Sequence, residues 1–557
     1  MPDTGHASKR VVIVGGNAGG IACATRLRRL DEEASILVFE RGKDVSYASC
    51  GLPYYVGGVI PERSQLLVAR PAWLRQVFAL EVRTEHLVEA IDRSRKTIAV
   101  RNLAEDKPYE VPYDALVLAP GSRPVIPSIE GIDSPRVFTL RTLEDADRLR
   151  SFIQEATPRH ATIIGGGYIG IEVAENFIRL GLQVCLVEKL PQLLPHLDSE
   201  MVSPLHEELK RRNVDLHLGT EVQKIVPSSN GGLVLWLTDG NQVTTDLVLL
   251  AVGIRPNSEL GATCGLELGP SGGIRVNECM QTSDPNIWAV GDVAEVKHSV
   301  TGRPTIAPLA GPTARQARVA AESICGRPSR YRGFQGTSIV AFFGLTLAST
   351  GATEKQLCEA GIPCVKSYTV SPHHATYYPG AERMTTKLLF HPETGVILGA
   401  QIVGGQGVDR RIDVLSLAIQ QQATVFDLEE VELAYAPQFG STRDPVNIAG
   451  AVGANILRRD VEPTYWEEWI GKQPSERPLL LDVRNPDERA AVAVDGSINI
   501  PLPELRQRLE EISPAQEVWV YCGVGQRGYY ASRILSQRGY RVKNVSGGIT
   551  TYRMMNR

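Results

Sequence analysis

Long apolar runs are missing from this chain of 557 residues. No window approaches the roughly 18 consecutive apolar residues of a membrane span, so no membrane insertion is expected. The first ten residues, Met1 to Arg10, are polar and carry no apolar core of a secretory signal. Cysteine is sparse and odd in number, with nine residues. That excludes a disulfide framework and predicts reduced thiols in a cytoplasmic protein. Neither sign of charge dominates: Lys+Arg 59 against Asp+Glu 63 leaves a net charge of −4. The basic face that nucleic-acid binding requires is therefore lacking. Low-complexity segments are absent too. Glycine, by contrast, is plentiful: 52 residues, or about 9% against a usual ~7%. With 43% hydrophobic residues, the length suggests three to four globular domains at about 150 residues each.

The glycines cluster at turns that follow apolar strands. The run VVIV at 11–14 leads into GGNAGG, then a helix from Ile21 to Leu30 and a strand from Ser35 to Glu40. The pattern repeats at 161–188: ATII, GGGYIG, a helix to Leu180 closed by Gly181, and the strand VCLVE. Each copy reads as a dinucleotide-binding half. In the second, Gly165, Gly167 and Gly170 allow a tight turn and close approach to a pyrophosphate at a helix N-terminus. Glu188, 23 residues after Gly165, offers a carboxylate to ribose hydroxyls. A 2′-phosphate there meets a like charge, so NADH is expected over NADPH, with Lys189 acting in the opposite sense. The first copy has Gly15 and Gly20 outside but Asn17 in the middle, and Glu40 at the end of its second strand. Residues 282–292, TSDPNIWAVGD, end in Gly291-Asp292. A strand delivering Gly-Asp there suits the ribityl hydroxyls of a flavin, with Asp292 as acceptor.

Together with LVLAPGSRP at 116–124, these strings resemble the two-dinucleotide flavoprotein disulfide reductases over about residues 10–455. The resemblance implies an FAD domain interrupted by an NAD domain and completed after it. It implies flavin contacts at Gly15, Ala18, Gly20, Glu40, Arg41, Ser49, Val88, Ala119, Gly121, Asp292 and Ala310. For NAD it implies Gly165, Gly167, Gly170, Glu188 and Gly253. The string Ser46-Tyr47-Ala48-Ser49-Cys50-Gly51-Leu52-Pro53-Tyr54 narrows the group. Where the glutathione-reductase type has a second cysteine five positions on, this chain has Tyr55. A lone flavin-facing thiolate can form a mixed disulfide, hold a persulfide or cycle through sulfenic acid.

The string resembles the coenzyme A–disulfide reductases and their relative, NADH-dependent persulfide reductase. The peroxide-reducing cousins carry a histidine where this chain has Ala18. HHATYYPG at 373–380 and LAYAPQFGSTRDP at 433–445 also match the group. The match implies that Tyr377 and Tyr435 of a partner subunit face the redox cysteine, making 331–455 a dimerisation domain. It implies coenzyme A contacts at Arg26, Arg29, Ser46 and Arg443. Two departures stand out: Ser49 replaces the usual asparagine, and Phe78 lies where a phosphate-binding lysine is expected.

Past a polar segment at 456–462, strands and helices alternate afresh. The strand EVWVY delivers Cys522-Gly523-Val524-Gly525-Gln526-Arg527-Gly528 to a helix at about 528–538. Such a loop is a nest for an anion and lowers a thiol pKa. With Leu481-Asp482-Val483-Arg484 and the turn Gly547-Gly548, the segment resembles single-domain rhodaneses, which carry sulfane sulfur on that cysteine. Arg527 stands one position early for the C-x5-R loop of phosphatases.

The expected fold class is α/β. It comprises two Rossmann-like dinucleotide-binding domains, an α+β dimerisation domain and a rhodanese-like α/β domain. The expected limits are 9–125 and 255–330 for the FAD domain, 126–254 for the NAD(P)H domain, 331–455 for dimerisation and 463–557 for rhodanese. The combination predicts a homodimeric, FAD-dependent, NAD(P)H-driven reductase of persulfide or polysulfide sulfur, with a small thiol persulfide, polysulfide or coenzyme A disulfide as substrate. Two alternatives stay open: a coenzyme A–disulfide reductase with a sulfur-carrying rhodanese domain, and a sulfur-trafficking protein whose flavin part is a sensor.

Overall fold

Strands buried on both faces need continuous apolar runs, and four such runs build the first sheet. The computed structural model, which describes residues 9–229 and 231–555, places the strand Arg10–Val14 at its centre. The strand order is Ile287–Ala289, Ala115–Leu118, Arg10–Val14, Ser35–Phe39 and Glu81–Arg83, all parallel. Ile287 pairs with Leu116, so a strand from beyond the second nucleotide turn completes this sheet. A three-stranded antiparallel sheet, His86–Asp92, Thr97–Asn102 and Lys107–Pro112, is inserted between its strands in sequence.

The second parallel sheet runs Asp215–Leu218, Gln183–Glu188, His160–Ile164, Leu247–Leu250 and Val137–Phe138. Its helix Tyr168–Arg179 begins straight after the second glycine turn. The helix Ala18–Arg28 begins three residues before the Ile21 expected from the sequence. Ala18, Gly19 and Gly20 carry no apolar period, yet backbone geometry at the turn already commits them to helix.

The later part of the chain contains two further sheets. Ser338–Phe342, Leu345–Gly351, Ile397–Gly404, Arg383–Phe390 and Val365–Pro372 form an antiparallel sheet in that order. The helices Val408–Gln420 and Pro445–Leu457 follow it. The last sheet is parallel, in the order Pro463–Thr464, Val542–Val545, Val518–Tyr521, Leu479–Asp482 and Ser497–Asn499. Trp466, Trp519 and Tyr521 are buried in its core.

The chain divides into two compact units. One comprises Met1–Pro191 with Asn213–Phe334. The other comprises Gln192–Arg212 with Gln335–Arg557. In the second unit, a buried cation joins three stretches of chain. Lys387 Nζ lies 2.7 Å from Asp198, 2.6 Å from Glu200 and 2.9 Å from Glu354. Lys366 bridges Glu354 at 2.9 Å to Glu467 at 3.0 Å.

Candidate functional site

The two glycine turns are built alike, down to their carboxylates. Gly15 has φ +107° and Gly165 φ +109°, a left-handed conformation that favours glycine. A Cβ on Gly15 would lie 2.1 Å from Ala119 O, and one on Gly165 2.3 Å from Ala251 O. Gly20 and Gly170 each let their helix approach the first glycine of the turn, where a Cβ would meet its carbonyl. Glu40 accepts from the N–H groups of Gly16 and Gly42, both at 2.8 Å. Glu188 accepts from Gly166 at 2.7 Å and Leu190 at 2.8 Å. Each carboxylate is thereby fixed beside its turn. Lys189 is paired with Glu221 at 3.2 Å.

The middle positions distinguish the two cradles. Nothing lies within 4 Å of a Cβ built on Gly167. No neighbouring protein atom demands glycine there, and the open space suits a pyrophosphate. Both helix starts, at Asn17 and Gly167, lack a side-chain cap, so their first N–H groups fit an anion. The Asn17 side chain is engaged elsewhere, where its Oδ1 accepts from Tyr47 N at 3.1 Å. Ser46 N donates to Gly16 O at 2.9 Å. The first turn is thus tied to the segment that carries Cys50.

Asp292 follows the completing strand, with Gly291 at φ +79°. Its Oδ2 accepts from Ser122 Oγ at 2.7 Å and from Arg141 at 2.9 Å. Among the other expected flavin positions, Ala310 opens the helix Ala310–Ile324, and Gly121 has φ +68°. Val88 is buried in the inserted sheet, and Arg41 is exposed. Gly253 has φ +108° with open space around a Cβ.

Cys50 lies in the short 3-10 turn Ser49–Gly51 and is a free, exposed cysteine. All nine cysteines are free. The surrounding protein nevertheless withdraws enough water to push the Cys50 thiol up. The negative charge of Glu172 adds to that, while Ser49 and Arg141 pull the other way. The sequence expectation of a thiolate therefore meets an environment that favours the thiol in the protein alone. Glu172 also accepts from Tyr54 Oη at 3.3 Å, and burial followed by Glu172 pushes Tyr54 up to about 12. Arg141, Glu172 and Tyr54 were not among the expected site residues. Tyr54 ends the string that carries Cys50; Arg141 and Glu172 have no such local pattern, because they meet Asp292 and Cys50 only through the fold.

The coenzyme A candidates are distributed differently. Arg26 is paired with Glu322 at 2.5 Å. Arg29 Nε donates to Thr25 O at 2.9 Å. Ser46 is buried, at φ +49°. Arg443 is exposed in the other unit.

In that unit Tyr377 and Tyr435 come together, with their hydroxyls 2.9 Å apart. Their hydrogen bond is the leading reason why Tyr435 titrates above its ordinary range. Both rings are exposed, Tyr377 at 74%, yet their segments are firmly held. Buried Arg411 binds Asp444 at 2.7 Å and His373 O at 2.7 Å. Arg410 donates to Ala434 O and Phe439 O.

Cys522 is buried at the end of Val518–Tyr521, before the helix Gln526–Ser536. Its Sγ accepts from Gly525 N at 3.2 Å. Gly525 takes φ +96°, which turns its N–H back toward the sulfur. Ile549 N donates to Cys522 O at 2.8 Å, fixing the loop against the Gly547-Gly548 turn. Arg527 does not stand alone as the loop's cation: it forms a two-pronged pair with Glu488, at 2.7 and 2.6 Å.

Two like nucleotide cradles, a completing Gly-Asp and an exposed thiol define an oxidoreductase of the two-nucleotide flavoprotein class. The chain belongs to the pyridine nucleotide-disulphide oxidoreductase family, whose model matches residues 9–317. The family's dimerisation domain matches 337–444, and a rhodanese-like domain matches 463–554. FAD and a nicotinamide nucleotide are the cofactors this family implies. A coenzyme A disulfide reductase of Staphylococcus aureus (strain JH9) is 36% identical over 442 residues, 79% of this chain and 99% of that protein. The crystal structure of reduced Bacillus anthracis CoADR-RHD has a TM-score of 0.96 at 44% identity, covering 99% of this chain and 98% of that one. A NAD-dependent persulfide reductase from A. fulgidus gives 0.90 at 37%, covering 98% and 100%. Among the described residues, no helix is long and apolar enough to cross a membrane.

Proposed function

We propose that this protein is an FAD-dependent, NAD(P)H-driven reductase of persulfide or polysulfide sulfur, releasing hydrogen sulfide. Coenzyme A persulfide or disulfide is the acceptor class, and the rhodanese domain is the sulfur carrier. The observation that carries this reading is the pairing, in one chain, of two different sulfur sites. Cys50 is a lone exposed thiol in the nucleotide-binding unit, and Cys522 is a buried thiol receiving a loop N–H. The persulfide and coenzyme A disulfide reductases it resembles support the same chemistry.

Overall, a persulfide RSSH, NADH and one proton give the thiol RSH, hydrogen sulfide and NAD⁺. Cys50 Sγ attacks the inner sulfur of the persulfide; the S–S bond breaks, HS⁻ leaves and a Cys50–S–S–R disulfide forms. FAD held by Glu40 and Asp292 would supply the two-electron chemistry that lets NADH reduce that disulfide. Cys50 is thereby returned and RSH is released. Ser49 and Arg141 favour the thiolate that each turnover needs. Glu40 and Asp292 would hold the flavin nucleotide's hydroxyls, and Glu188 those of NADH. Tyr377 and Tyr435 carry protons on adjacent hydroxyls and supply them to leaving sulfur from the partner subunit of a homodimer. We read the domains as 9–125 with 255–330, 126–254, 331–455 and 463–557, and the compartment as the cytoplasm, which suits nine free thiols.

The coenzyme A–disulfide reaction is the second reading, favoured by the Staphylococcus aureus relative. A sensor without turnover is disfavoured by the complete NAD cradle around Gly167 and Glu188. The test is steady-state NADH oxidation with a persulfide, with coenzyme A disulfide and with neither. Cys50→Ser should bind FAD yet lose both substrate-dependent rates. Near-parental turnover in that variant would remove Cys50 from the mechanism.

A further inference from the structure

The rhodanese-like loop is expected to present positive charge to an anionic sulfur donor. Here Arg527, Arg484 and Arg489 are each already answered by a carboxylate or an oxygen. Arg527, on the first turn of the helix after the loop, is held by both oxygens of Glu488. Arg484 is buried and bound to Asp482 at 2.7 Å. Arg489 donates to Ser497 Oγ and O and lies 3.8 Å from Asp482. Glu488 comes from another segment, the helix Pro486–Ala491, where its Oε2 also accepts from Asn485 N at 3.1 Å. The pair reaches the loop itself. A Cβ on Gly523, next to Cys522, would lie 3.5 Å from Arg527 Nη2 and 3.9 Å from Glu488 Oε1.

We propose that Glu488 determines donor selectivity at Cys522, by cancelling the charge of Arg527 and so disfavouring dianionic thiosulfate relative to singly charged persulfides. This rests on the sulfur-carrier reading above. Arg527 chiefly, against the opposing effect of burial, holds Glu488 down to about 2. The carboxylate therefore stays charged across the working pH range. Next to a fixed negative charge, a dianion meets about twice the repulsion of a monoanion. The chemistry is otherwise shared. Cys522 Sγ attacks the outer sulfur, its bond to the donor's inner sulfur breaks, and a Cys522 persulfide forms. The leaving group is sulfite from thiosulfate or a thiolate from a persulfide.

The test uses the full-length flavoprotein, with cyanide as acceptor and thiocyanate formation as the readout. Donors are thiosulfate and 2-hydroxyethyl persulfide, whose organic part is uncharged. Replacing Glu488→Gln keeps an oxygen for Arg527 and removes the charge. We expect the ratio of kcat/KM for thiosulfate to kcat/KM for the persulfide to rise at least about tenfold, equivalent to about 1.4 kcal/mol. Glu488→Ala should shift it the same way, and provides the reading if the glutamine variant folds poorly. A merely structural role would lower both donors together and leave the ratio alone. A ratio within about twofold of the parent's in both variants overturns the proposal. Mass spectrometry of the parent separates the two failures. If neither donor adds a sulfur that is lost in Cys522→Ser, the carrier reading fails. If sulfur is added but the ratio does not move, only the role of Glu488 fails.

Discussion

Lys387→Met is the most searching single change to the second unit. Lys387 is 1% exposed at its side chain and lies within 3 Å of three carboxylates. Burial, the largest single influence, would raise the carboxyl of Glu200, but the Lys387 ammonium, together with hydrogen bonds from Tyr368 and a backbone N–H, holds the group below its usual range. Glu354 behaves likewise, with further help from Lys366. The substitution conserves the volume of the stem and deletes the charge. Asp198 keeps its bond from Gln401 Nε2 at 2.6 Å, and Glu200 keeps that from Tyr368 Oη at 2.7 Å. Their charges are left buried with no neutralising cation. Breaking such a buried pair from one side costs about 3–5 kcal/mol.

For a unit of this size that is a fall in Tm of about 6–20 °C, read by calorimetry. The sign of the pH dependence follows from the same groups. In the parent, carboxyls lowered by Lys387 contribute stability above their unfolded pKa of about 4.3. That contribution is lost as pH falls through their lower folded values. In the variant, Glu200 loses the Lys387 cation, is raised by burial and takes up a proton as the pH drops, while Glu354 keeps Lys366. The stability gap should therefore be widest near neutrality and narrow toward pH 5. A loss below about 2 °C at neutral pH, or an equal loss at pH 5, would refute the reasoning.

Nucleotide preference should follow Glu188. A like-charge clash of ~1–2 kcal/mol with a 2′-phosphate gives NADH roughly a ten- to thirty-fold advantage in kcat/KM. The pairing of Lys189 with Glu221 removes the nearest offset, so equal use of NADPH would show that another cation governs the site. If Tyr377 and Tyr435 act across a dimer, mixing Cys50→Ser subunits with Tyr377→Phe/Tyr435→Phe subunits should restore partial turnover. One of the two sites in each mixed dimer is then intact. Mixtures as inactive as their parents would assign the tyrosines to their own chain.

Both glycine turns were legible in the sequence, because their physics is local. A left-handed glycine, a close helix–strand approach and a carboxylate closing the next strand all lie within one βαβ unit. Gly15, Gly165, Glu40 and Glu188 were legible for that reason. So was the loop around Cys522, whose glycines, strand end and helix start are contiguous. Which charges meet depends on the packing of distant segments. Arg141 reaches Asp292 across 151 residues, and Lys387 reaches Glu200 across 187. Arg527 is neutralised by Glu488 from 39 residues upstream. The apparent availability of Arg26 ended in the same way, at Glu322. A backbone turn is specified by its own residues, whereas the environment of a side chain is specified by whatever the fold packs beside it. The cradles could thus be located from the sequence, while the carboxylates and cations that come to Cys50 and to Arg527 from far along the chain, Glu172, Arg141 and Glu488, could not.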